Sequence, residues 1–416
     1  MNVWLVKAHE NIPVNDTIVL SRMGQIAEWF SKRGHSVTWW ATTFQHFSKK
    51  DITDSDIDIA VSDNYLIKCF FSKWVYKKNI SLARIFHNMI IAYRINKQIN
   101  HVRKPDLIVC AYPTIELAYV MVRYAKKNNI KIMIDARDMW PEMFLYPFSK
   151  WARPFIRVCF SPYFLLSKYV FKHADAIVGI TESFVSWGLS KTPFLKRKYD
   201  QAFYLAYETL NCDSKDLVDA ECFWDDLGLS ESYFNIIYFG TFSKQKIQMD
   251  YVVDLVNSLK DERDLRFVFS GIGDDLDFLK NKLKHCPNVL FTGWIGKFEK
   301  HVLLNRASIG LAPYRNKEDY KSSIPTKIIE YLSAGLPVVT GLEGETHAFL
   351  EEYSCGGFSS KYDIEETNRF LTKVLADENA YNSLSQQALK AFKLKFDSNI
   401  VYKNYVKNAE DLVFSK

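Results

Sequence analysis

The sequence lacks the features that define several protein classes. Its seven cysteines are odd in number and scattered, and none belongs to a C-x-x-C pair. This pattern argues against a disulfide framework or a zinc site and favours reduced thiols. No apolar run reaches the ~18 residues that a membrane-spanning helix needs. The first ten residues, MNVWLVKAHE, have too few apolar residues for a secretory signal, so we expect none there. The expected reduced thiols favour a cytosolic compartment.

Acidic residues are missing from two segments of the first half. Residues 67–104 contain nine lysines and arginines and residues 148–172 contain five, with no Asp or Glu in either segment. No nucleic-acid-binding motif accompanies them, so we expect no nucleic-acid partner. Basic and aromatic side chains together are typical of a protein that lies on an anionic membrane surface. The alternative is an ordinary basic surface above aromatic residues of the core. The candidate inserting residues are Trp74, Trp151, Phe155, Phe160 and Phe164.

The length of the chain, 416 residues, predicts two domains. In both halves, short β-rich runs alternate with helical patterns, which is typical of a parallel, doubly wound sheet. This alternation is lost between residues 191 and 229, which we interpret as the interdomain connection. We therefore expect an α/β protein with two Rossmann-like domains that face a cleft, at residues 1–207 and 208–395.

One stretch, SSIPTKIIEYLSAGLPVV (322–339), has the start and stop signals of a short helix. Two serines are suitable N-caps, Pro325 suits the first turn, and Gly335 suits the end. Lys327 would add positive charge to a helix N-terminus, which attracts phosphate. Glu330 would lie about 4.5 Å further along the axis, within reach of ribose hydroxyls. The stretch therefore predicts a helix that binds a nucleoside diphosphate; the alternative is a capped surface helix.

The second half resembles the donor domain of family 4 glycosyltransferases, which have the GT-B fold. The segments that carry the resemblance are FGTFSKQK (239–246), SGIGDD (270–275), NVLFTGWI (288–295), GLAPY (310–314) and the stretch at 322–339. Glu330 matches the second glutamate of the family's E-x7-E motif, and Lys246 matches its diphosphate-binding lysine. Ser322 and Thr241 stand where the family has a glutamate and an arginine. The donor-binding residues predicted in this way are Gly240, Thr241, Lys244, Lys246, Gly271, Gly273, Trp294, Ile295, Ser322, Ser323, Lys327 and Glu330.

The first half resembles more loosely a bacterial surface-polysaccharide (O-antigen or capsule) subgroup similar to fucosamine transferases. The segments are RGHSVTWWATTFQHFSKK (33–50), YKKNISLARI (76–85), PDLIVCAYPT (105–114) and DARDMWPE (135–142). The family's acceptor-side histidine falls at Ala111. We predict that Asp138 orients the acceptor or acts in acid/base chemistry and that Arg137 binds phosphate. The alternative is a structural ion pair at a strand end. His9, Glu10 and Tyr112 are placed on the acceptor side.

The resemblance implies a glycosyltransferase of the hexosyltransferase type, acting in bacterial envelope polysaccharide biosynthesis. The donor would be a nucleotide sugar, expected to carry uridine diphosphate (UDP), and the acceptor a glycan or a polyprenyl-diphosphate-linked glycan. Transfer would retain the anomeric configuration without a metal or other cofactor. Residues 396–416 would form a helix returning to the first domain, and the protein would be peripheral on the cytoplasmic face of the inner membrane. Two alternatives are a GT-B-fold UDP-sugar epimerase and a catalytically silent UDP-sugar-binding scaffold.

Overall fold

The apolar run NVWLV forms strand β1 (Asn2–Val6), and all five of its residues are buried. In the computed structural model, which describes residues 1–13, 20–46, 49–77, 81–193, 197–209 and 215–415, β1 lies inside an eight-stranded sheet. Burial at every position is expected for a strand in a parallel sheet with helices on both faces. The sheet belongs to a first compact unit, made of Met1–Leu205 and Val401–Lys416.

The strands of this unit continue with β2 (Ser36–Thr42), β3 (Phe44–Gln45), β4 (Lys50–Asp51), β5 (Ile57–Ser62), β6 (Tyr65–Phe70), β7 (Leu107–Tyr112), β8 (Lys131–Ala136), β9 (Ala176–Gly179) and β10 (Gln201–Ala202). The order in the sheet is β10-β9-β8-β7-β1-β2-β6-β5, and β3 pairs with β4 in a separate ribbon. Neighbouring strands of the sheet are parallel except for the antiparallel pair β5–β6. The carboxyl ends of β1, β7 and β8 therefore lie side by side.

The helices of the first unit are α1 (Arg22–Lys32), α2 (Leu82–Gln98), α3 (Ile115–Asn128), α4 (Arg153–Cys159), α5 (Ser161–His173) and α6 (Glu182–Ser190). Helix α3 shows why such segments fold this way. Its apolar residues recur at helical spacing and are buried, while Lys126 and Lys127 lie in its last turn, where they complement the helix dipole. The helix ends at Asn129 in a left-handed conformation.

The second unit, Ala206–Ile400, contains a six-stranded sheet in which every pair of neighbouring strands is parallel. Its strands are β11 (Phe234–Phe239), β12 (Leu265–Ser270), β13 (Val289–Gly293), β14 (Ile309–Leu311), β15 (Val338–Thr340) and β16 (Gly356–Phe358). They lie in the order β13-β12-β11-β14-β15-β16. The order reverses direction at β11, which is where ligands bind in doubly wound sheets.

Nine helices are described in the second part of the chain before its last helix. They are α7 (Lys215–Asp226), α8 (Met249–Ser258), α9 (Leu276–Leu283), α10 (Lys297–Arg306), α11 (Glu318–Lys321), α12 (Thr326–Ser333), α13 (Glu345–Tyr353), α14 (Ile364–Ala376) and α15 (Glu378–Lys395). Helix α7 falls in the region that we interpreted as an irregular connection. Only Ala220 and Trp224 of α7 are buried, so its apolar periodicity is too sparse to predict a helix.

The last helix, α16 (Ser398–Phe414), contributes most of its residues to the first unit. Tyr405 is fully buried there, and its ring lies 5.0 Å from that of Phe203. Asn408 donates a hydrogen bond to the carbonyl oxygen of Tyr199, at 3.1 Å. Glu410 accepts hydrogen bonds from Arg33 at 2.6 Å and from His35 at 2.7 Å.

Replacing Glu410 by glutamine is expected to lower the free energy of unfolding by about 1–2 kcal/mol at pH 7, since charge-assisted hydrogen bonds are lost. Burial pushes the pKa of Glu410 upward, but the hydrogen bonds from Arg33 and His35 outweigh burial and hold it below its usual value. The contribution is therefore present above the unfolded-state pKa and is lost as pH falls through the folded-state pKa. Urea unfolding at pH 7 and at pH 3 measures this.

The matched control is Glu28→Gln, which removes an exposed ion pair with Lys32 one helical turn away. Such exposed pairs contribute about 0.5 kcal/mol or less. Equal effects of the two substitutions at pH 7, or a Glu410→Gln effect that persists unchanged at pH 3, would contradict this account of α16.

Candidate functional site

The loops that follow β11 and β12 are locked together by their backbones. The amide of Gly240 donates to the carbonyl oxygen of Ser270 at 2.8 Å, and the amide of Gly271 donates to that of Gly293 at 2.5 Å. Both Gly240 and Gly271 have φ above +130°. A Cβ atom on Gly271 would lie 1.9 Å from the carbonyl oxygen of Gly240, so only glycine fits. The predicted glycine loops therefore pack closely against each other at the carboxyl ends of β11 and β12.

Lys327 lies directly over these glycine loops. A Cβ atom on Gly240 would be 2.3 Å from the Cε atom of Lys327 and 2.5 Å from its Nζ atom. Nζ donates to the hydroxyl of Tyr314 at 3.4 Å, and among the described residues no carboxylate forms an ion pair with it. Burial lowers the pKa of Lys327; the negative charge of Glu330 acts against this shift, while the positive charges of Lys246 and Lys300 add to it. A largely desolvated cation that lies above the glycine loops without an ion-pair partner in the described part of the chain is suited to bind an anion.

The other residues of the predicted donor site surround this point at the ends of β11, β12 and β13. Thr241, Lys244 and Lys246 are exposed, and the amide of Lys244 donates to the Asp275 carboxylate at 2.7 Å. Gly273 lies against the backbone of Phe242, because a Cβ atom there would be 2.1 Å from its carbonyl oxygen.

Trp294 and Ile295 follow β13. The Trp294 side chain is 73% exposed and Ile295 is half-buried. A flat aromatic ring held in solvent at a strand end can stack on a planar ligand.

Glu330 is 9% exposed, and its Oε1 atom lies 2.7 Å from the Nζ atom of Lys300. The pKa of Lys300 is raised: burial opposes its charge, but the Glu330 carboxylate and the Tyr207 hydroxyl outweigh burial. The sequence analysis missed Lys300. It stands in the run KFEK with other charged residues, which looks like a solvated helix face.

The expected capping of α12 by Ser322 and Ser323 was wrong. The residue before the helix is Pro325, in an extended conformation and without a side-chain cap. The Ser322 hydroxyl donates to the carbonyl oxygen of Glu318 at 2.9 Å, and that of Ser323 donates to the carbonyl oxygen of Asp319 at 3.0 Å. Both serines therefore bond back to the preceding helix α11, a common alternative for serine hydroxyls. The amides of the first turn of α12 are left without a serine cap.

In the first unit, Arg137 belongs to an ion-pair network at the ends of β1 and β8. Its guanidinium lies 2.7 Å from Glu10 and 2.9 Å from Asp135, and Arg22 also pairs with Asp135, at 3.1 Å. Burial opposes the charge of Asp135, but the two arginines outweigh it and lower its pKa. The second oxygen of Glu10 accepts from the amide of Met23 at 2.5 Å. For Arg137, the structure shows an Asp/Arg ion pair at a strand end, the alternative that we weighed, with Asp135 as the partner.

The other acceptor-side candidates differ in their accessibility. Tyr112 is fully buried and donates to the carbonyl oxygen of Trp140 at 2.7 Å, so its expected place in the site is corrected to the core. His9 is also buried and bonds Asn88 at 2.8 Å, and burial holds its pKa well below the usual value. Asp138 is half-buried. Burial lowers the pKa of Lys7 and of Arg84, and the negative charge of Asp138 acts in the opposite direction.

Within the described ranges, no three His, Cys, Asp or Glu side chains are placed to hold a metal ion. Asp275, from the acidic run that follows the second glycine loop, accepts the Lys244 amide instead. Likewise, none of the helices in the described ranges has the length and apolar character needed to cross a bilayer.

A known protein family matches a large part of the second unit. The sequence profile of the family described as "Glycosyl transferases group 1" matches residues 224–391. That span contains the glycine loops, Lys300, Lys327 and Glu330. Comparison with curated proteins gives no match.

Solved structures match the whole chain. Sucrose-phosphate synthase from Thermosynechococcus elongatus has a TM-score of 0.69 at 14% identity, with 100% of both chains covered. The HepE protein of Anabaena, in complex with UDP and glucose, has a TM-score of 0.63 at 13% identity, with 99% of both covered. WaaG, a glycosyltransferase involved in lipopolysaccharide biosynthesis, has a TM-score of 0.62 at 14% identity, with 100% of both covered. At such identities the likeness shows the fold, and the prediction of two parallel-sheet α/β domains of the GT-B type is confirmed.

Proposed function

We propose that this chain is a glycosyltransferase of group 1 that takes a sugar from a UDP-linked donor. The observation that carries the proposal is the geometry of α12. Lys327 lies over the glycine loops without an ion-pair partner among the described residues, and Glu330 lies one turn further along the same helix. A diphosphate needs a cation and free amides, and a ribose needs an acceptor for its hydroxyls. HepE, which has the same fold, was solved with UDP and glucose.

The residues of this site would act mainly on the leaving group. As the bond between the sugar and the diphosphate breaks, negative charge develops on the diphosphate oxygens. We propose that Lys327 and the amides in the first turn of α12 stabilise that charge, which is the strongest form of stabilisation available here. We propose that Lys244 and Lys246 add to it from the exposed rim, with retention of configuration and without a metal.

The acceptor is proposed to bind the first unit near Asp138. This carboxylate is half-buried near Lys7, and its oxygens can accept a hydrogen bond from an acceptor hydroxyl. We propose a glycan or a polyprenyl-diphosphate-linked glycan of the bacterial envelope, such as that of lipopolysaccharide O-antigen or capsule, as the acceptor.

Measurement of UDP release tests the proposed function. Purified protein is incubated with a panel of UDP-sugars, with and without membrane-extracted lipid-linked glycans. We expect UDP release that requires the acceptor extract. An isomerised donor without an acceptor would support the epimerase instead, and a bound but unchanged donor under all conditions would support the silent scaffold.

The location is proposed from an exposed apolar and basic surface on and beside α4. Trp151 is 85% exposed and Phe155 and Val158 are each 70% exposed. Lys150 and Arg157 are exposed around them, and among the described residues the basic side chains of 148–172 form no ion pairs with acids. Phe160 and Phe164, also expected to insert, are half-buried. This chemistry fits an anionic lipid surface.

The other acid-free segment, 67–104, is less basic in the structure than in the sequence. Lys68 pairs with Asp58 at 2.5 Å and Arg94 with Asp56 at 2.7 Å, because the preceding segment folds back on it. Trp74 is nevertheless 65% exposed. Lys78 lies outside the described residues. We therefore place the main membrane contact at α4 and propose attachment to the cytoplasmic face of the inner membrane.

Replacing Trp151 and Phe155 together by glutamate is expected to reduce binding to anionic vesicles about tenfold or more, because apolar insertion is lost and two like charges are added. Co-sedimentation with phosphatidylglycerol and with phosphatidylcholine vesicles, at low and high salt, measures this. Binding by the unsubstituted protein should weaken with salt.

The matched control replaces Val218 and Leu394, exposed apolar residues of the second unit, by glutamate. It should bind vesicles like the unsubstituted protein. If the unsubstituted protein stays in solution with anionic vesicles at low salt, the peripheral location is wrong.

A further inference from the structure

A largely buried ion pair links helices α10 and α12. The Nζ atom of Lys300 lies 2.7 Å from the Oε1 atom of Glu330, with the two side chains 24% and 11% exposed. Helix α10 begins at Lys297, shortly after β13 ends, while α12 follows β14. The pair therefore connects two different loops at the edge of the same sheet.

Two aromatic rings also lie near the ammonium group of Lys300. Its Nζ atom lies 5.5 Å from the centre of the Tyr207 ring and 5.8 Å from that of Phe239. Cation–π contacts of this kind favour the charged amine. Two rings and one carboxylate thus fix the ammonium group in one place.

The pair matters because Glu330 is a carboxylate with little contact with water. A buried carboxylate without a positive partner protonates or turns towards solvent. Lys300 supplies a positive partner at 2.7 Å and fixes one of the carboxylate oxygens. A carboxylate offers about four acceptor positions, of which Lys300 uses one, so the direction of the remaining positions is fixed as well.

We propose that Lys300 is a positioning residue that sets the preference of this site for ribonucleotides over deoxyribonucleotides, acting through Glu330. The inference rests on the proposed function, in which Glu330 accepts hydrogen bonds from the ribose. Lys300 does not contact the reacting atoms in this account. The new element is that the preference for ribonucleotides depends on it.

The test compares binding of UDP with binding of 2′-deoxy-UDP by calorimetry. The two ligands differ only in the 2′-hydroxyl, so the ratio of their dissociation constants isolates the contact with that hydroxyl. We expect a ratio of about ten or more for the unsubstituted protein, the loss of one charge-assisted hydrogen bond. Lys300→Met should reduce the ratio to near one, because the Glu330 carboxylate loses the contact that fixes its oxygens.

Three variants separate positioning from a general loss of structure. Lys300→Arg should retain the ratio, and Lys297→Met, on the exposed face of the same helix, should leave both affinities unchanged. Lys300→Met should change nothing further on a Glu330→Gln background, since the two residues act as one unit.

A Lys300→Met protein that keeps the ratio overturns the inference while the proposed function stands. A ratio near one in the unsubstituted protein also overturns the inference, because Glu330 then does not distinguish ribose from deoxyribose. Failure of the unsubstituted protein to bind any nucleoside diphosphate would overturn the proposed function itself, and the inference with it.

Discussion

Replacing Glu330 by alanine is expected to weaken UDP binding by at least about a hundredfold. A ribose presents two neighbouring hydroxyls, and each charge-assisted hydrogen bond to a poorly hydrated carboxylate is worth about 1.5–3 kcal/mol. Loss of both corresponds to two or more orders of magnitude in the dissociation constant. The position of Glu330, buried on α12 beyond Lys327, makes it the residue best placed for this contact.

Calorimetric titration with UDP measures the effect, and Glu330→Gln should fall between the two extremes because an amide oxygen still accepts. Glu351→Ala, an exposed glutamate on α13, is the matched control and should bind UDP normally. Because Glu330→Ala leaves the Lys300 ammonium without its partner, the melting temperature is recorded in parallel. A well-folded Glu330→Ala protein with unchanged UDP affinity would remove the carboxylate from the binding site.

Replacing Lys327 by methionine is expected to have opposite effects on ligand binding and on stability. Loss of a partly desolvated cation that contacts a diphosphate should weaken UDP binding by about 2–5 kcal/mol, which is about thirtyfold to several thousandfold. The empty protein should become more stable. Burial lowers the pKa of Lys327, so the folded state disfavours the charged amine. Below both the folded and the unfolded pKa this cost is present in full, and it is relieved as pH rises.

Thermal unfolding with and without UDP distinguishes these two effects. We expect Lys327→Met to melt at a higher temperature than the unsubstituted protein without ligand, and to show little further shift when UDP is added. Lys373→Met, an exposed lysine on α14, should change neither quantity. A Lys327→Met protein that is less stable and still binds UDP would show that this lysine is structural.

The glycine loops could be predicted from the sequence because the backbone itself imposes the residue type. Gly240 and Gly271 have positive φ and no room for a Cβ atom, so their identity follows from local geometry. Lys327 and Glu330 were also predicted, because their spacing on one short helix is a local property. The alternation of strands and helices gave the fold class for the same reason.

Pairing between distant segments could not be predicted. Lys300 acquires its partner only when α10 and α12 are folded, 30 positions apart in the chain. Arg137 and Glu10 form an ion pair although they lie 127 positions apart in the chain. Side-chain hydrogen bonding was also ambiguous at Ser322, where a hydroxyl can cap the next helix or bond back to the previous one. In each case, several local arrangements were open and tertiary contacts selected one.

The place of α16 has a consequence for how the protein is made. Tyr405 fills the core of a unit whose other strands and helices precede the entire second unit in the sequence. During synthesis, which adds residues from the N-terminus at about 5–20 per second, the early unit emerges from the ribosome without the helix that covers Phe203. The second unit, in contrast, is continuous and has all its strands before α16 appears. We therefore expect the nascent chain to complete its later-encoded unit first, leaving the earlier one open to chaperones until α16 has emerged.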